Sequence, residues 1–350
     1  MKDLYHDHAS KSVRSRPNRV APPKELEFRV GDVVRVKSAA EIAASLTPSG
    51  TLAGLPFMEE MLPFCGGSHT VQKSAHKTCD SLVQTRIRRL DDAAHLLGLR
   101  CDGSAHGGCQ TGCLLYWKTA WLERVVTSSD APAPRQSSDE SPASVGLKHK
   151  LRQARQLHER DPDCGTFSCQ ATEIPFATAE LPPWVLSQYF RDVKSGNASL
   201  PRVLRSVMTA LLNRYQSASA RFLPPILRIH EAHLFPTIRG TCVNSPTARL
   251  GLTPGEDVII RSKSEIISTL DADGRNRGLT FDPDMLLYCG KRATVTRRVE
   301  RMIDERTGKL RLLQNDCIVL DGVTCQGRFH RSCSRSAYCF WREVWLRRVE

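Results

Sequence analysis

The stretch CDGSAHGGCQTGC, residues 101–113, places three cysteines and one histidine in a glycine-rich segment. Thiolate and imidazole are ligands that zinc prefers, and glycine lets a short loop fold back around an ion. The same residue types could instead form disulfides or redox-active thiols. A second stretch, CQGRFHRSC at 325–333, repeats the Cys, His and Cys at the same spacing. This recurrence favours a metal site.

Each stretch also has a cysteine at a constant distance upstream, so the pattern C-x35-C-x4-H-x2-C occurs twice. A Cys3His set with no open position is the usual form of a structural zinc site. Zinc is therefore the predicted metal, with iron as the alternative. Packing of buried thiols in the core would explain the same residues, above all the two distant cysteines beside a glycine. The predicted ligands are Cys65, Cys101, His106 and Cys109 in the first set and Cys289, Cys325, His330 and Cys333 in the second.

Some candidate residues have no counterpart in the other set. Cys113 is one of them, because Ala337 stands at the matching position. Metal catalysis needs an exchangeable coordination position, so Cys113 is a candidate catalytic residue, with core packing as the alternative. In the string CQATE, Cys169 and Glu173 could act as nucleophile and general acid or base. A buried strand with a polar edge explains these letters equally well.

A nucleophilic thiol also needs a base nearby. Cys164 forms a C-x4-C pair with Cys169, and His230 and His233 in RIHEAHLF are candidate bases, although surface histidines give the same pattern. The sequence has no G-x-x-x-x-G-K-[ST] phosphate loop, no strand-linked G-x-G-x-x-G and no G-x-S-x-G elbow. These absences argue against most nucleotide-dependent enzymes.

The region around each stretch is duplicated as a whole. Residues 31–125 align with 255–349 at a constant offset without a gap. Each copy opens with a period-two run, VGDVVRVKS or GEDVIIRSKS, which predicts a strand followed by a short helix in AAEIAASL or SEIISTL. In the second copy KRATVTRRVERMID predicts a strand, and DERTGK predicts a hairpin turn. The closing W-x-x-x-W segment predicts a helix with both tryptophans on one face.

The opening run VGDVVRVKS resembles the first strand and turn of SH3-like small β-barrels, which implies short strands joined by glycine turns. The predicted fold class is α+β, with two duplicated β-rich SH3-like modules flanking a helical middle domain. Within the middle, a break at SGN predicts two helices, the second starting at Ser199. The predicted divisions are a disordered arm at 1–28, the first module at 29–126, a linker at 127–145, a mainly helical middle domain at 146–250 and the second module at 251–350.

The composition bounds the class of protein. The chain has 350 residues, 13 cysteines and a net charge of +13. No run of about 18 or more apolar residues could span a bilayer, and the polar start lacks a secretory core. We therefore expect a soluble, cytoplasmic protein without a membrane partner. In a reducing compartment so many cysteines indicate metal binding rather than disulfides.

Two functions fit these observations best. The first is a zinc-binding two-module protein with a binding or scaffold role, in which the W-x-x-x-W segments and basic faces recognise a partner. A protein, small molecule or peptide is a better partner than nucleic acid, because the positive charge is spread along the chain and only 6% of residues are aromatic. The alternative is a metal-dependent biosynthetic enzyme acting on a small molecule or peptide, with its site between the first module and the middle domain. A thiol redox sensor is a third possibility. The sequence does not specify the oligomeric state.

Overall fold

The computed structural model describes residues 28–80, 86–125, 142–158, 165–224, 226, 228, 235–236 and 238–349. Most of the predicted arm and linker lies outside these residues, as do Cys164, His230 and His233. The fold is mixed α+β with several antiparallel sheets. Within the described part of the chain, no helix is both long enough and apolar enough to cross a membrane.

The first module is built around a five-stranded sheet. Its elements are β1 (Val33–Val36), α1 (Ala39–Ser45), β2 (Thr51–Leu52), β3 (Leu55–Pro56), a 3-10 helix (Glu59–Phe64), β4 (Ser68–Ser74), β5 (Lys77–Cys79), β6 (Ile87–Arg89), β7 (Ala93–Leu96), β8 (Trp117–Lys118), a second 3-10 helix (Thr119–Trp121) and β9 (Leu122–Arg124). The strand order of the main sheet is β8-β7-β4-β1-β9. The first strand is thus paired on both sides, and β5 and β6 form a separate hairpin.

The middle segment is mainly helical. It contains α2 (Pro142–Arg155), β10 (Gln156–His158), β11 (Thr166–Phe167), α3 (Gln170–Ala177), β12 (Ala179–Glu180), α4 (Ser187–Lys194) and α5 (Leu200–Phe222). Ser199 is the N-cap of α5, which confirms the predicted start of that helix. The segment is joined closely to the first module, because Ala171 and Ile174 of α3 are buried in that module's core and β12 pairs with β6.

The second module repeats the layout of the first. Its elements are β13 (Asp257–Ile260), α6 (Lys263–Ile267), β14 (Arg275–Asn276), β15 (Leu279–Thr280), a 3-10 helix (Pro283–Tyr288), β16 (Arg292–Arg298), β17 (Arg301–Ile303), β18 (Leu310–Leu312), β19 (Ile318–Thr324), β20 (Tyr338–Trp341), a further 3-10 helix (Glu343–Trp345) and β21 (Leu346–Arg348). The main sheet has the order β20-β19-β16-β13-β21. The predicted hairpin at DERTGK joins β17 to β18.

The two main sheets have matching registers. Val33 pairs with Thr70 in the first sheet, and Asp257 pairs with Thr294 in the second. Both members of the pair are shifted by the same offset that relates the two sequence copies. The pairings of the first strand with the last strand, and of the second with the third, repeat at this offset as well.

Local sequence explains the short helix after each first strand. The Ser38 hydroxyl accepts from Glu41 N–H, and the Glu41 carboxylate accepts from Ser38 N–H at 2.9 Å. This reciprocal arrangement is a capping box, which satisfies backbone donors at the helix start. Ser262 and Glu265 form the same box at α6. The two predicted helices are therefore confirmed, together with the reason for their recurrence.

The tryptophans of each copy form the centre of its core. Trp117 and Trp121 are fully buried and meet the edge of Phe57 at centroid distances of 6.3 and 5.3 Å. The second copy repeats this cluster around Phe281. The prediction of a closing helix is wrong, because each W-x-x-x-W segment runs from a strand through one 3-10 turn into another strand. Burial also removes these side chains from partner recognition.

Candidate metal centre

The loop between β7 and β8 carries the first Cys/His stretch. Cys101 Sγ and His106 Nε2 lie 3.4 Å apart in this loop. A tetrahedral zinc ion, with Zn–S about 2.3 Å and Zn–N about 2.0 Å, holds a sulfur and a nitrogen ligand about 3.5 Å apart. The two side chains therefore already have the separation that a shared zinc ion would require.

The other ring nitrogen of His106 faces a carboxylate. His106 Nδ1 lies 2.7 Å from Glu60 Oε1, and Ala105 N–H donates to the same oxygen at 3.0 Å. Burial opposes ionisation of Glu60, but the contacts with His106 and with backbone donors outweigh it and lower the pKa of Glu60. A carboxylate on the far nitrogen of a metal-binding histidine fixes its tautomer and orientation. Glu60 thus holds His106 with Nε2 turned towards Cys101.

Glu60, Cys101 and His106 form a possible metal-binding group, whose ligand atoms all lie within 4.8 Å of one another. Because Glu60 and Cys101 approach different ring nitrogens, an ion beside Cys101 would lie on the Nε2 side. Glu60 is then better placed to support the histidine than to bind the ion itself.

Three further thiols line the cavity beside this group and lie outside the set of atoms within 4.8 Å of one another. Cys109, Cys113 and Cys169 line a cavity of about 30 Å³ together with Cys101 and His106. This volume suits one ion or one water molecule, whereas pockets for organic ligands usually measure about 300–1,000 Å³. Cys169 is the N-cap residue of α3, and Ile303 and Glu305 of the β17–β18 hairpin in the second module also line the cavity.

Backbone geometry folds the loop back on itself. Gly103 has φ +75°, and a Cβ at this position would lie 2.1 Å from Cys109 O, so only glycine fits. Cys101 N–H donates to Cys113 O at 2.8 Å, which places these two residues opposite each other on paired backbone. Side chains of opposite residues project to the same side. Gly103 thus has the role predicted for the glycines of this stretch, which is to let the loop fold back on itself.

The two upstream cysteines lie elsewhere. Cys65 is buried in the core of the first module, with its thiol 3.9 Å from Met61 O, and burial raises the pKa of Cys65 to about 12. Cys289 holds the matching position, 4.0 Å from Met285 O. Each follows a 3-10 helix and points back along it, and neither lines the cavity. The structure thus places Cys65 and Cys289 outside the lining of this cavity, each beside a glycine.

In the second module, Cys325, His330 and Cys333 share the loop between β19 and β20. His330 Nε2 lies 2.9 Å from Asp282 Oδ2, and the Cys325 thiol donates to Asp284 Oδ2 at 3.2 Å. Burial opposes protonation of His330, but the contact with Asp282 and nearby negative charges raise its pKa to about 9. The loop therefore repeats the Cys and His residues of the first module with a different set of carboxylate contacts.

The catalytic candidates do not form an activated pair. Burial raises the pKa of Cys113 to about 11 and that of Cys169 to about 12, so neither thiol is held as the nucleophilic thiolate. Glu173 lies in the first turn of α3, where its carboxylate accepts from the Ser168 hydroxyl at 2.7 Å, and it does not line the cavity. The structure thus places Cys113 and Cys169 as buried thiols that line the cavity.

Comparison with models of protein families, with curated proteins and with solved structures found no match to this chain.

Sequence reasoning missed one residue and one contact near the predicted ligands. The residue is Glu60, which could have been found because Asp284 repeats the acidic group at the equivalent position of the second copy. The contact is that of Cys79 in β5, a further candidate peculiar to the first copy, whose N–H donates to Cys333 Sγ at 2.9 Å across the two modules. No spacing rule points to this contact, because 254 residues separate the two cysteines.

Proposed function

We propose that the protein is a zinc-binding protein with a binding or scaffold role, in which Cys101, His106, Cys109 and Cys113 hold a structural zinc ion. The observation that carries this proposal is the 3.4 Å separation of Cys101 Sγ and His106 Nε2, with the far side of the ring held by Glu60. Three thiolates and one imidazole leave no open coordination position, which is the usual form of a structural zinc site.

The position of the cavity supports a structural role. The loop 101–113, helix α3 and the β17–β18 hairpin meet there, and the loop itself contains no regular helix or strand. An ion at this point would order the loop and connect both modules with the middle segment. Because zinc would bind the folded loop more tightly than the unfolded chain, the difference in binding free energy would add to the stability of the fold.

Each module is proposed to be one copy of an SH3-like unit. In support, the first strand of each main sheet lies between the second strand and the last, a short 3-10 turn precedes the last strand, and the registers repeat at one offset. A small barrel of this kind has a limited core, which explains the value of a metal as an additional stabilising element.

A protein partner is supported by helix α5. Leu204, Met208 and Leu211 lie on one side of it and are 57–65% exposed. The helix carries four arginines and no acidic residue. An exposed apolar row on a basic helix fits a protein surface that combines apolar and acidic residues. Nucleic acid is less well supported, because four of the five tryptophans are buried and offer no stacking platform.

The test is elemental analysis of the full chain purified without added metal. We expect zinc, with one ion per chain lost in Cys101→Ser and in Cys113→Ser. Cys169→Ser is the matched control, since it replaces another buried thiol of the same cavity and should keep its zinc. Iron in place of zinc would reassign the metal. Unchanged metal content in Cys101→Ser would refute the site.

A second candidate function is binding or conversion of a small molecule or peptide. One observation favours it: a cleft of about 710 Å³ lies between the two modules, within the size range of small-molecule sites. Both modules line it, with Cys113 on one side and Arg335 and His330 on the other. This function predicts that native mass spectrometry of the purified chain detects a bound compound that denaturation releases.

A further inference from the structure

The two Cys/His loops each receive a hydrogen bond from the opposite module. Ile303 N–H of the second module donates to Cys109 Sγ at 3.4 Å, and Cys79 N–H of the first module donates to Cys333 Sγ at 2.9 Å. Cys109 and Cys333 are equivalent in the two sequence copies, and so are Cys79 and Ile303, since both pairs are related by the offset of the duplication. The two contacts are therefore equivalent: the offset of the duplication converts one into the other.

A second pair of contacts has the same reciprocity. Gln110 N–H donates to Arg301 O at 3.0 Å, and Ser334 N–H donates to Lys77 O at 3.4 Å. An interface in which residue i of one unit contacts j of the other, and the reverse, is isologous and belongs to two-fold symmetry. The two modules thus pack like the subunits of a symmetric dimer, with both Cys/His loops at the interface.

The same symmetry identifies which cysteine of the opposite module lies beside the second loop. Beside the first loop, the local residue is Cys113 and the residue from the opposite module is Ile303. At the second loop the local position is Ala337, and the opposite module supplies Cys79 instead. Each loop therefore has one additional cysteine beside it. For the first loop this is Cys113 of its own module, and for the second loop it is Cys79 of the opposite module.

We propose that Cys79, Cys325, His330 and Cys333 form a second zinc site, which is completed across the interface between the modules. This inference rests on the proposed function, because it assigns zinc to the second loop by its equivalence to the first. It replaces the predicted ligand Cys289 by a residue of the opposite module. The site would hold the two modules together as well as ordering its own loop.

The contacts around the second loop fit ligands of a metal. Cys333 Sγ accepts from Cys79 N–H at 2.9 Å and from Arg335 N–H at 3.4 Å. Cys325 Sγ accepts from Gly327 N–H at 3.4 Å. Both sulfurs of this loop thus accept from the backbone N–H of the second residue after their own cysteine. These donors would stabilise the negative charge of metal-bound thiolates.

Carboxylates take corresponding positions in the two sites. Asp284, equivalent to Glu60, accepts from Phe329 N–H at 3.1 Å, as Glu60 accepts from Ala105 N–H. Asp282 holds Nε2 of His330 and leaves the other ring nitrogen for an ion. Closure of the site requires the Cys325 thiol to turn from Asp284 towards the ion. Zinc then replaces the thiol protons, which pass to the solvent.

The experiment is zinc quantification on the full chain and on matched variants. We expect two zinc ions per chain in the unmodified protein, one in Cys79→Ser, one in Cys101→Ser and none in the double variant. Cys317→Ser replaces a buried thiol outside both loops and should retain two ions. A Cys79→Ser protein with undiminished zinc, or an unmodified protein with a single ion that only Cys101→Ser removes, would overturn the second site and leave the first intact. Loss of zinc in Cys79→Ser but not in Cys101→Ser would instead overturn the proposed function.

A measurement on the unmodified chain covers the case in which Cys79→Ser fails to fold. Mass spectrometry after brief alkylation reports whether each thiol is accessible. We expect Cys79 and Cys333 to be protected until a chelator removes zinc, and then to be modified together. Modification of Cys79 with zinc still fully bound would contradict the proposal. A Cys79–Cys333 disulfide in place of bound zinc would do the same and would assign the pair to redox chemistry.

Discussion

Replacement of Glu60 by glutamine tests the histidine orientation on which the first site depends. Glu60 Oε1 lies 2.7 Å from His106 Nδ1 and also accepts from Ala105 N–H. Glutamine keeps the size of the side chain and an acceptor for Ala105 but removes the charge that supports the imidazole. Loss of such a carboxylate typically weakens metal binding by about 10–100-fold, or about 1.4–2.7 kcal/mol. We therefore expect Glu60→Gln to bind zinc with a dissociation constant raised by that factor.

The assay is competition with a chromophoric zinc chelator, which reports the affinity of each ion. Glu59→Gln is the matched control, since Glu59 is the neighbouring buried carboxylate and pairs with Arg152 at 2.7 Å instead of with His106. We expect Glu59→Gln to leave both zinc affinities within about twofold of the unmodified chain, because Glu59 does not line the cavity and the carboxylate that supports the histidine is Glu60. Equal zinc affinity in Glu60→Gln and Glu59→Gln would refute the role of Glu60.

Two further predictions concern backbone geometry and pH. Gly103→Ala should lose zinc from the first site, because its Cβ would lie 2.1 Å from Cys109 O, whereas Gly98→Ala, with φ +73° and open space, should cost about 1–2 kcal/mol and keep the zinc. Zinc retained in Gly103→Ala would contradict the packing of the loop. Burial lowers the pKa of His95 from 6.5 to about 3, so the neutral ring stabilises the fold above pH 6.5 and this stability declines as the pH falls towards 3. Between pH 7 and 5 the free energy of unfolding should therefore fall by about 2 kcal/mol more than in His95→Val, which introduces the residue found at the equivalent position 319. Equal losses measured by urea unfolding would remove His95 as the cause.

Local signals were sufficient to predict the first strand and the following short helix of each module and one hairpin of the second. The alternating run at β1, the helical segment of α1 and the turn at DERTGK depend on neighbours within a few residues, and the structure has all three. The W-x-x-x-W segment misled because its spacing suits a helical face as well as two core positions on either side of a 3-10 turn. Which of these occurs depends on the aromatic partner Phe57, which lies far from Trp117 along the chain, before β4 and β7.

The candidate site was predictable only where its residues are close in sequence. Cys101, His106 and Cys109 share one loop, and their spacing alone indicated a common ion. Cys65 was included because it recurs, but recurrence marks packing residues as faithfully as ligands, and Cys65 packs against Met61. The partnership of Cys79 with Cys333 depends on how the modules pack, which no periodicity within either module records.

Fusion of the two modules in one chain explains how the proposed sites could come to differ. The additional cysteine of a site can stand at one of two positions, that of Cys113 in the same module or that of Cys79 in the opposite module. In a dimer of identical subunits, cysteines at both positions would give each site four thiols, and cysteines at neither position would give each site two. Because the two copies are covalently joined, one site can use its local Cys113 and the other the distant Cys79.

A cysteine at position 337 should therefore replace Cys79. Ala337 is half-buried beside the cleft, and Cys325 N–H donates to its carbonyl at 2.7 Å, as Cys101 N–H does to Cys113 O. We expect Cys79→Ile to lose one zinc ion and the double variant Cys79→Ile with Ala337→Cys to regain it. Failure of this rescue in a folded double variant would show that the two sites are not built on the same plan.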